Sequence, residues 1–382
     1  MVSRNILCIT SSANLGLYRL MKVLKTRGFN IYLLIHNADY EATWGLGNNI
    51  FNKIYPFPSN LYNPTTQYLN LNKAKSLINE IIINNKIDLI YSVNIYNDFL
   101  SFVASSLKSV PVIYVVVDMH SLMSNHLTIR NPLKSARSVF GRVYANFLEK
   151  QSYRLSAGYV FSTQNMEQAA ASKYRIDTSN SVILSNYLPH ASIVAQGQKK
   201  LSELDNELHL VHEGSIAMTG HNFILPAILS IAKRNVHVHL YCNEVPDYYV
   251  KAIGDNPYIH WQKYMKLDDL IYELTKYDYG LMVYNDTERK HLDSVLPNKL
   301  FDYLAAGLPV LSPPFKSLKY FIENNQVGIV FENIEDLLQN INSVNYAKLA
   351  TNVMNVRQNL TMEGSADNVI GLFEKVWADR KN

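Results

Sequence analysis

Short apolar runs alternate with stretches of helical spacing along the first half of this chain, and this alternation constrains the fold more than any other feature. A run of consecutive apolar residues indicates a buried strand, and apolar residues three and four apart indicate an amphipathic helix. Strands that alternate with helices form a parallel sheet covered on both faces. The predicted strands span residues 6–10, 31–35, 87–91 and 110–117, and the predicted helices span 15–25, 74–83 and 99–107.

The same rhythm restarts after a polar segment at residues 191–206. The chain has 382 residues, and at roughly 100–200 residues per domain this length indicates two domains. We therefore predict an α/β chain of two Rossmann-like domains, 1–190 and 207–365, which face each other across a ligand-binding cleft. The predicted strands of the second domain span residues 208–212, 236–241, 279–284, 309–311 and 328–331.

Charge, cysteine content and hydropathy narrow the class of protein. The net charge of +4 is too small to indicate a nucleic-acid partner. Cys8 and Cys242 lie in apolar runs, so we expect reduced core thiols. The apolar run near the N-terminus is too short for a signal peptide, and no apolar run approaches the ~20 residues that cross a bilayer. We expect a cytoplasmic protein that is soluble or peripheral to a membrane.

Residues 296–310 carry the most informative pattern of the second domain. Asn298 suits the start of a helix and Gly307 suits its C-terminal cap. Lys299 adds a cation to the free backbone N–H groups of the first turn, and together these groups suit a phosphate. Asp302 lies on the same face, where its carboxylate would accept hydrogen bonds from ribose hydroxyls. The spacing equally allows a capped surface helix in which Lys299 and Asp302 form an ion pair.

The same segment resembles the donor-binding signature of GT-B glycosyltransferases, particularly the retaining glycosyltransferase family four. That signature runs Pro-Asn/Ser-Lys, two residues, Glu/Asp-Tyr, and then Ala-Ala/Thr-Gly-x-Pro-Val. The resemblance implies transfer of a sugar from a nucleotide-sugar donor to a hydroxyl acceptor, with retention at the anomeric carbon. It further implies that Lys299 faces the pyrophosphate, that Asp302 contacts the ribose, and that residues 366–382 form a helix crossing back to the first domain.

The resemblance covers nearly the whole chain and also has departures. The segment that ends at Tyr264 looks like the strand and loop that contact the base in this family. Ser294 stands where many members carry the first of two glutamates, and Asp293 beside it is a substitute only if the loop shifts. Gly214 and Ser215 lack the Arg or Lys that many members carry nearby. The phosphate charge would then be met by Lys299, by the Gly214 and Ser215 amides, and by Arg289 or Lys290 as further candidates.

Asp118 and His120 follow the fourth predicted strand, at the edge where open α/β sheets bind ligands. On their own they suit a strand-end acid and a loop histidine. They resemble the family's Asp-x-His-Glu/Asp-Leu segment, which implies that His120 faces the donor sugar, although Ser121 replaces the usual acid. Asn14 and Gly16 lie in a loop of small residues after the first strand, and the resemblance places that loop near the acceptor and the donor phosphates.

The segment 130–154 combines basic residues with apolar residues at helical spacing. Such a helix either packs on the sheet with a solvated basic face or rests on an anionic membrane surface. Many enzymes of the resembled family use lipid-linked acceptors, and contact with a membrane would suit such an acceptor.

Histidines raise the question of a metal. His237 and His239 alternate along a predicted strand and share a face, but no cysteine or carboxylate cluster accompanies them in sequence, so we expect no metal site. The chain has no Asp-x-Asp motif, which favours a metal-independent reaction with no cofactor besides the nucleotide-sugar substrate. We predict a glycosyltransferase with a glycan or lipid-linked acceptor, in bacterial surface-glycan or glycolipid synthesis. A GT-B nucleotide-sugar epimerase and a catalytically impaired partner subunit are the alternatives.

Overall fold

The chain divides into two compact units, Met1–Ser185 with Ser365–Asn382 and Asn186–Gly364. Each unit is built on one parallel sheet. This confirms the predicted α/β class with two Rossmann-like domains. The structure is a computed structural model that describes residues 4–11, 15–35, 49–57, 61, 64–94, 98–122, 132–263 and 265–379.

The sheet of the first unit has seven parallel strands within these described residues. They are β1 (Asn5–Thr10), β2 (Asn30–Ile35), β3 (Lys53–Pro56), β4 (Leu89–Val93), β5 (Val112–Val116), β6 (Gly158–Phe161) and β7 (Ser181–Ile183). They lie in the order β3-β2-β1-β4-β5-β6-β7. Because β1 and β4 are neighbours in the sheet and not in the chain, the chain leaves these two strands in opposite directions.

The sheet of the second unit repeats this arrangement with six described parallel strands. They are β8 (His209–Glu213), β9 (His237–Tyr241), β10 (Ile259–Gln262), β11 (Tyr279–Leu281), β12 (Val310–Ser312) and β13 (Gly328–Val330). They lie in the order β10-β9-β8-β11-β12-β13. The corresponding reversal of direction falls between β8 and β11.

Helices connect the strands in both units. None of the described helices is long and apolar enough to cross a membrane. The helices are α1 (Leu15–Thr26), α2 (Pro64–Leu69), α3 (Leu71–Asn85), α4 (Phe99–Leu107), α5 (Pro132–Leu155), α6 (Gln164–Tyr174), α7 (Ser202–Asp205), α8 (Leu225–Ala232), α9 (Asp247–Ile253), α10 (Leu267–Leu274), α11 (Arg289–Leu292), α12 (Asn298–Ala306), α13 (Lys316–Asn325), α14 (Ile334–Asn340), α15 (Tyr346–Arg357) and α16 (Met362–Asp379).

The last helix packs into the core of the first unit. The ring of Phe373 in α16 meets Phe29 and Tyr91 edge-on, with centroid distances of 6.2 and 6.0 Å. Beside them, a side chain at Gly158 would lie 3.2 Å from atoms of Leu372 and Val376. The absence of a side chain at Gly158 therefore lets β6 and α16 approach closely.

The predicted strands all occur, each shifted by a few residues at most. Four strands lie outside the apolar runs that predicted the others: β3, β6, β7 and β10. β7 has only three residues, and all of them are partly or fully exposed, so no apolar run marks it. The two cysteines, Cys8 and Cys242, are buried and free, which confirms their predicted state.

Candidate functional site

The carboxyl edge of the second sheet brings several predicted site residues together. Open α/β sheets bind ligands where the chain reverses direction between neighbouring strands, and in this unit that point lies between β8 and β11. Gly214 follows β8 directly and Tyr284 follows β11. Lys299 of α12 reaches the same edge, because its Nζ atom lies 3.4 Å from Nε2 of His212 in β8.

The helix α12 is buried along nearly its whole length. It begins at Asn298 after an extended Pro297 and ends at Gly307, whose φ of +83° is the left-handed conformation that glycine adopts without strain. All the side chains from Lys299 to Ala306 are buried. The alternative of a capped surface helix is therefore wrong, and both Lys299 and Asp302 lie inside the fold.

Lys299 lies between a histidine acceptor and an aromatic face. The Nδ1 atom of His212 lies 3.1 Å from the carbonyl oxygen of Leu281, so this nitrogen carries the proton and Nε2 is free to accept one from Lys299. The ammonium also lies 5.2 Å from the ring centroid of Tyr284, within the range of a cation–π contact. These neighbours hold the cation at the sheet edge.

Burial is the largest influence on the pKa values of Lys299 and His212. It lowers the pKa of Lys299, while the charges of Glu213 and Asp302 act to raise it. Burial and the neighbouring Lys299 cation hold the pKa of His212 well below its ordinary value, so the imidazole is neutral at physiological pH. A nearby anion would strongly stabilise this buried ammonium, because the neutral imidazole leaves its charge in place and the low local dielectric screens charges less than water does.

Gly214 lies beside Lys299 in a backbone conformation that favours glycine. Its φ is +108°, and a side chain there would lie 3.4 Å from the Nζ atom of Lys299. Its amide donates a 2.9 Å hydrogen bond to the carbonyl oxygen of Tyr241. The predicted phosphate contact through the Gly214 amide therefore meets a competing bond. Ser215, the next residue, is exposed.

Asp293, the acidic residue beside Ser294, already contacts other residues of the second unit. Asp293 Oδ1 accepts a 3.0 Å hydrogen bond from the Lys316 amide at the start of α13, and lies 3.3 Å from Nε of Arg289. These contacts turn the carboxylate of Asp293 toward the start of α13 and toward Arg289. Ser294 is buried, and its hydroxyl donates to the carbonyl oxygen of His291 at 2.8 Å.

The other two basic candidates for the phosphate, Arg289 and Lys290, are exposed. Arg289 donates to the carbonyl oxygen of Pro314 at 3.0 Å and stacks its guanidinium 4.9 Å from the Phe315 ring centroid. Asn298, at the start of α12, is exposed and accepts a 2.7 Å hydrogen bond from Nδ2 of Asn186. Tyr264 lies outside the described residues.

Asn94 organises the predicted site segment of the first unit. It follows β4, and its Nδ2 atom donates to the carbonyl oxygen of Asp118 at 2.6 Å. Its Oδ1 atom accepts from the Val117 amide at 2.8 Å. Asn94 thus fixes the backbone that leads into a single 3₁₀ turn, His120–Leu122. The side chain of His120 lies outside the described residues.

A buried acid holds the other side of this turn. Glu149 of α5 is fully buried and accepts hydrogen bonds from the amide and the hydroxyl of Ser121, at 3.0 and 3.1 Å. Ser121 stands where the resembled family has an acid, and here Glu149 of another element contacts Ser121 through its carboxylate. Gly16 lies in the first turn of α1, and Asn14 lies outside the described residues.

Asp98 forms a second buried acidic position near Asn94. The hydroxyl of Tyr114 donates to its carboxyl group. Burial raises the pKa of Asp98 to about 7, although hydrogen bonds from Tyr114 and Asn94 act to lower it. No motif of the sequence marks Asp98, Asn94 or Glu149 as candidates. The signal available for Asn94 is its place as a polar residue just after a buried strand.

A segment that covers most of the second unit is similar to a known domain family. Residues 218–368 match the model of the glucosyltransferase 3-like C-terminal domain. Over 99 residues the chain is 27% identical to glucosyltransferase 3 of Streptococcus parasanguinis. This alignment covers 26% of the chain and spans less than a third of the relative, 30% of its length.

Solved structures resemble the chain over nearly its full length. Sucrose-phosphate synthase from Thermosynechococcus elongatus covers 98% of this chain and 100% of its own, with a TM-score of 0.73 and 11% identity. Anabaena HepE in complex with UDP covers 97% of this chain and 100% of its own, with a TM-score of 0.67 and 12% identity. The chain has the GT-B fold. This confirms the resemblance to GT-B glycosyltransferases at the level of the fold, and identities this low carry no information on the substrate.

Proposed function

We propose that this GT-B protein is a glycosyltransferase that moves a sugar from a nucleotide-sugar donor to a hydroxyl acceptor. The observation that carries the proposal is the buried Lys299 ammonium at the carboxyl edge between β8 and β11. It lies inside the matched segment 218–368 and within the signature-like sequence. The buried cation thus lies where the fold would bind a ligand and inside the segment that matches the domain model.

The proposed roles follow from the chemistry of each side chain. Lys299 and the amino end of α12 bind the diphosphate, which carries the charge that develops on the leaving group. Asp302 accepts hydrogen bonds from the ribose, and Asn298, Gly214, Ser215, Ser294 and Tyr264 complete the donor side. Asp118 and His120 serve the donor sugar, and the loop with Asn14 and Gly16 serves the acceptor.

The proposed reaction retains the configuration at the anomeric carbon and needs no metal at the diphosphate. The glycosidic bond to the diphosphate breaks while the acceptor oxygen bonds to the same face of the anomeric carbon. The acceptor hydroxyl gives its proton to the departing phosphate oxygen. Lys299 supplies the positive charge that a divalent ion provides in other transferases.

A uridine diphosphate sugar is the donor that we propose. Glucosyltransferase 3 of Streptococcus parasanguinis is a relative over 26% of this chain, and HepE has been solved with UDP. UDP-glucose is therefore the first donor to test. For the acceptor we propose a glycan, free or lipid-linked, in the assembly of a bacterial surface glycan or glycolipid.

Helix α5 supports the proposal of a membrane-associated acceptor. Arg142, Lys150 and Arg154 are exposed basic residues of this helix, and Lys150 and Arg154 follow its exposed apolar residues at helical spacing. A cationic and apolar face of this kind suits the interface of an anionic bilayer. We propose that the chain works as a peripheral protein on the cytoplasmic side. The exposed apolar residues are Val139, Phe140, Val143 and Phe147, which expose between 48% and 63% of their surface.

A transfer assay separates this function from its alternatives. The protein is incubated with UDP-glucose labelled in the sugar, with and without a panel of glycan and lipid-linked acceptors. The proposal expects acceptor-dependent release of UDP and label in the acceptor, with an α-linkage by NMR. An epimerase would alter the sugar without an acceptor, and an impaired partner subunit would neither transfer the label nor bind UDP.

A further inference from the structure

Four histidines of the second unit form a cluster far from the carboxyl edge of the sheet. They lie at or near the amino ends of three neighbouring strands: β8, β9 and β10. The rings of His209 and His237 stack with centroids 4.5 Å apart, and those of His239 and His260 stack at 4.4 Å. Because the strands run parallel, this cluster lies at their amino ends, whereas Lys299 lies at their carboxyl ends.

Two carboxylates from the turn before β8 reach these histidines. The Oδ2 atom of Asp205 lies 2.9 Å from Nε2 of His209, and the carboxylate of Glu207 contacts Nε2 of His237. No cysteine or carboxylate cluster accompanies His237 and His239 in sequence, and for this reason the sequence predicts no metal site there. Glu207 is separated from His237 by 30 residues, and only the pairing of β8 with β9 brings the two together.

The geometry points to a divalent metal site formed by Asp205, His209 and His237, and we propose that it takes Zn²⁺. Glu207, whose carboxylate contacts Nε2 of His237, becomes the fourth ligand when its side chain rotates toward the ion. The ligand atoms that Asp205, His209 and His237 offer all lie within 4.8 Å of one another. Bonds of about 2.0 Å to a tetrahedral ion place its ligands ~3.3 Å apart, so small rotations of the side chains suffice. Two imidazoles with two carboxylates and no thiolate suit zinc among the divalent ions.

The remaining histidines provide the support that metal-bound imidazoles need. A metal at Nε2 requires the proton on Nδ1, which then donates to a fixed acceptor. Nδ1 of His209 lies 2.9 Å from Nε2 of His239, and Nδ1 of His237 lies 2.8 Å from Nε2 of His260. Both acceptors are thus in place. Gln262 lies 3.1 Å from the far nitrogen of His239, and rotation of its amide lets it accept the proton there.

The site is accessible from solvent and positioned to stabilise the second unit. The side chains of Asp205 and Glu207 are 43% and 45% exposed, whereas those of His209 and His237 are 6% and 13% exposed. A metal ion would enter from the carboxylate side and join the turn at α7 to the two strands behind it. Binding to the folded state alone raises its stability in proportion to the logarithm of the metal concentration.

The test uses the full chain without a histidine tag, stripped of metal by a chelator that is then removed. Zinc chloride is titrated into it by calorimetry, and its Tm is measured with and without zinc. We expect one saturable site and a higher Tm with zinc. Asp205→Asn and Glu207→Gln should each weaken zinc binding about tenfold or more, while the matched surface variants Asp255→Asn and His190→Ala should bind as the wild type does.

Cobalt gives an independent readout of the geometry. Co²⁺ in the wild-type site should show the visible absorption of a tetrahedral nitrogen and oxygen environment, and His237→Gln should lose it while the far-ultraviolet spectrum of the protein stays unchanged. The proposal is overturned if the wild type lacks a saturable zinc site. It is equally overturned if the Asp205→Asn/Glu207→Gln double variant keeps the wild-type affinity and Tm shift.

Discussion

The Nζ atom of Lys299 lies 3.4 Å from the Nε2 atom of His212, and both side chains are buried. His212 is held neutral by its burial and by this cation, so it accepts a hydrogen bond without offsetting the positive charge. His212 therefore leaves the positive charge of Lys299 in place. An anionic diphosphate is the partner that we propose for it.

The affinity for the nucleoside diphosphate should fall at alkaline pH. Burial lowers the pKa of Lys299, and only the protonated ammonium attracts the diphosphate. Affinity is therefore complete below this lowered pKa and decreases as the pH rises through it. Calorimetry with UDP from about pH 7 to about pH 10 should show this decrease, and Lys299→Gln should bind weakly at every pH. A constant wild-type affinity over this range would contradict the role of the ammonium.

His120→Ala should lower turnover by about tenfold or more and leave the affinity for UDP nearly unchanged, because we propose that His120 serves the sugar and not the nucleotide. Initial rates with donor and acceptor, together with UDP titration, measure the two effects separately. The exposed His190 gives a matched control, His190→Ala. Normal turnover of His120→Ala would return His120 to a structural role in its loop.

Charge reversal on α5 should release the protein from anionic vesicles. Each basic side chain near such a surface contributes ~1 kcal/mol, so Arg142→Glu with Lys150→Glu should weaken sedimentation with vesicles of phosphatidylglycerol about tenfold or more. Lys233→Glu with Arg234→Glu reverses two exposed charges of the second unit and should have little effect. If the wild type does not sediment with these vesicles at low salt, the proposal is refuted without any variant.

Asp98→Asn should stabilise the protein above neutral pH. Burial raises the pKa of Asp98 to about 7 in the folded state, well above the value of an unfolded aspartate. The folded state therefore holds this proton between about pH 4 and pH 7, and stability decreases as the pH rises through that window. The Tm of Asp98→Asn should exceed that of the wild type at about pH 8. A Tm below the wild-type value at that pH would show that the charged carboxylate stabilises the fold.

The sequence predicted the elements whose signals are local. Buried strands such as β5 are uninterrupted apolar runs, and α12 has its start and end marked by Asn298 and Gly307. The strand β7 has three residues with polar and exposed positions, so its pairing with β6 is fixed by neighbours that are distant in sequence. Local patterns carry no information on such pairings.

The surroundings of the candidate site residues were predicted only in part for the same reason. The residue type and spacing of Lys299 and Asp302 were visible in the sequence, but the burial of α12 was not, and it is burial that rules out a surface ion pair. Asn94 contacts Asp118 across 24 residues, and Glu149 contacts Ser121 across 28 residues. These contacts exist because β4, β5 and α5 pack together, which the spacing of single residues does not reveal.

The binding of UDP to Lys299 and Asp302 variants tests the central claim most directly. Removal of a charge-assisted hydrogen bond costs ~1.5–3 kcal/mol, so Lys299→Ala should weaken UDP binding in calorimetry by roughly ten- to a hundredfold. Asp302→Asn should weaken it less, because an amide still accepts one hydrogen bond from the ribose. The exposed Lys319 of α13 provides the control, Lys319→Ala, which should bind as the wild type does. Wild-type affinity in Lys299→Ala would place the diphosphate elsewhere and contradict the assignment of this site.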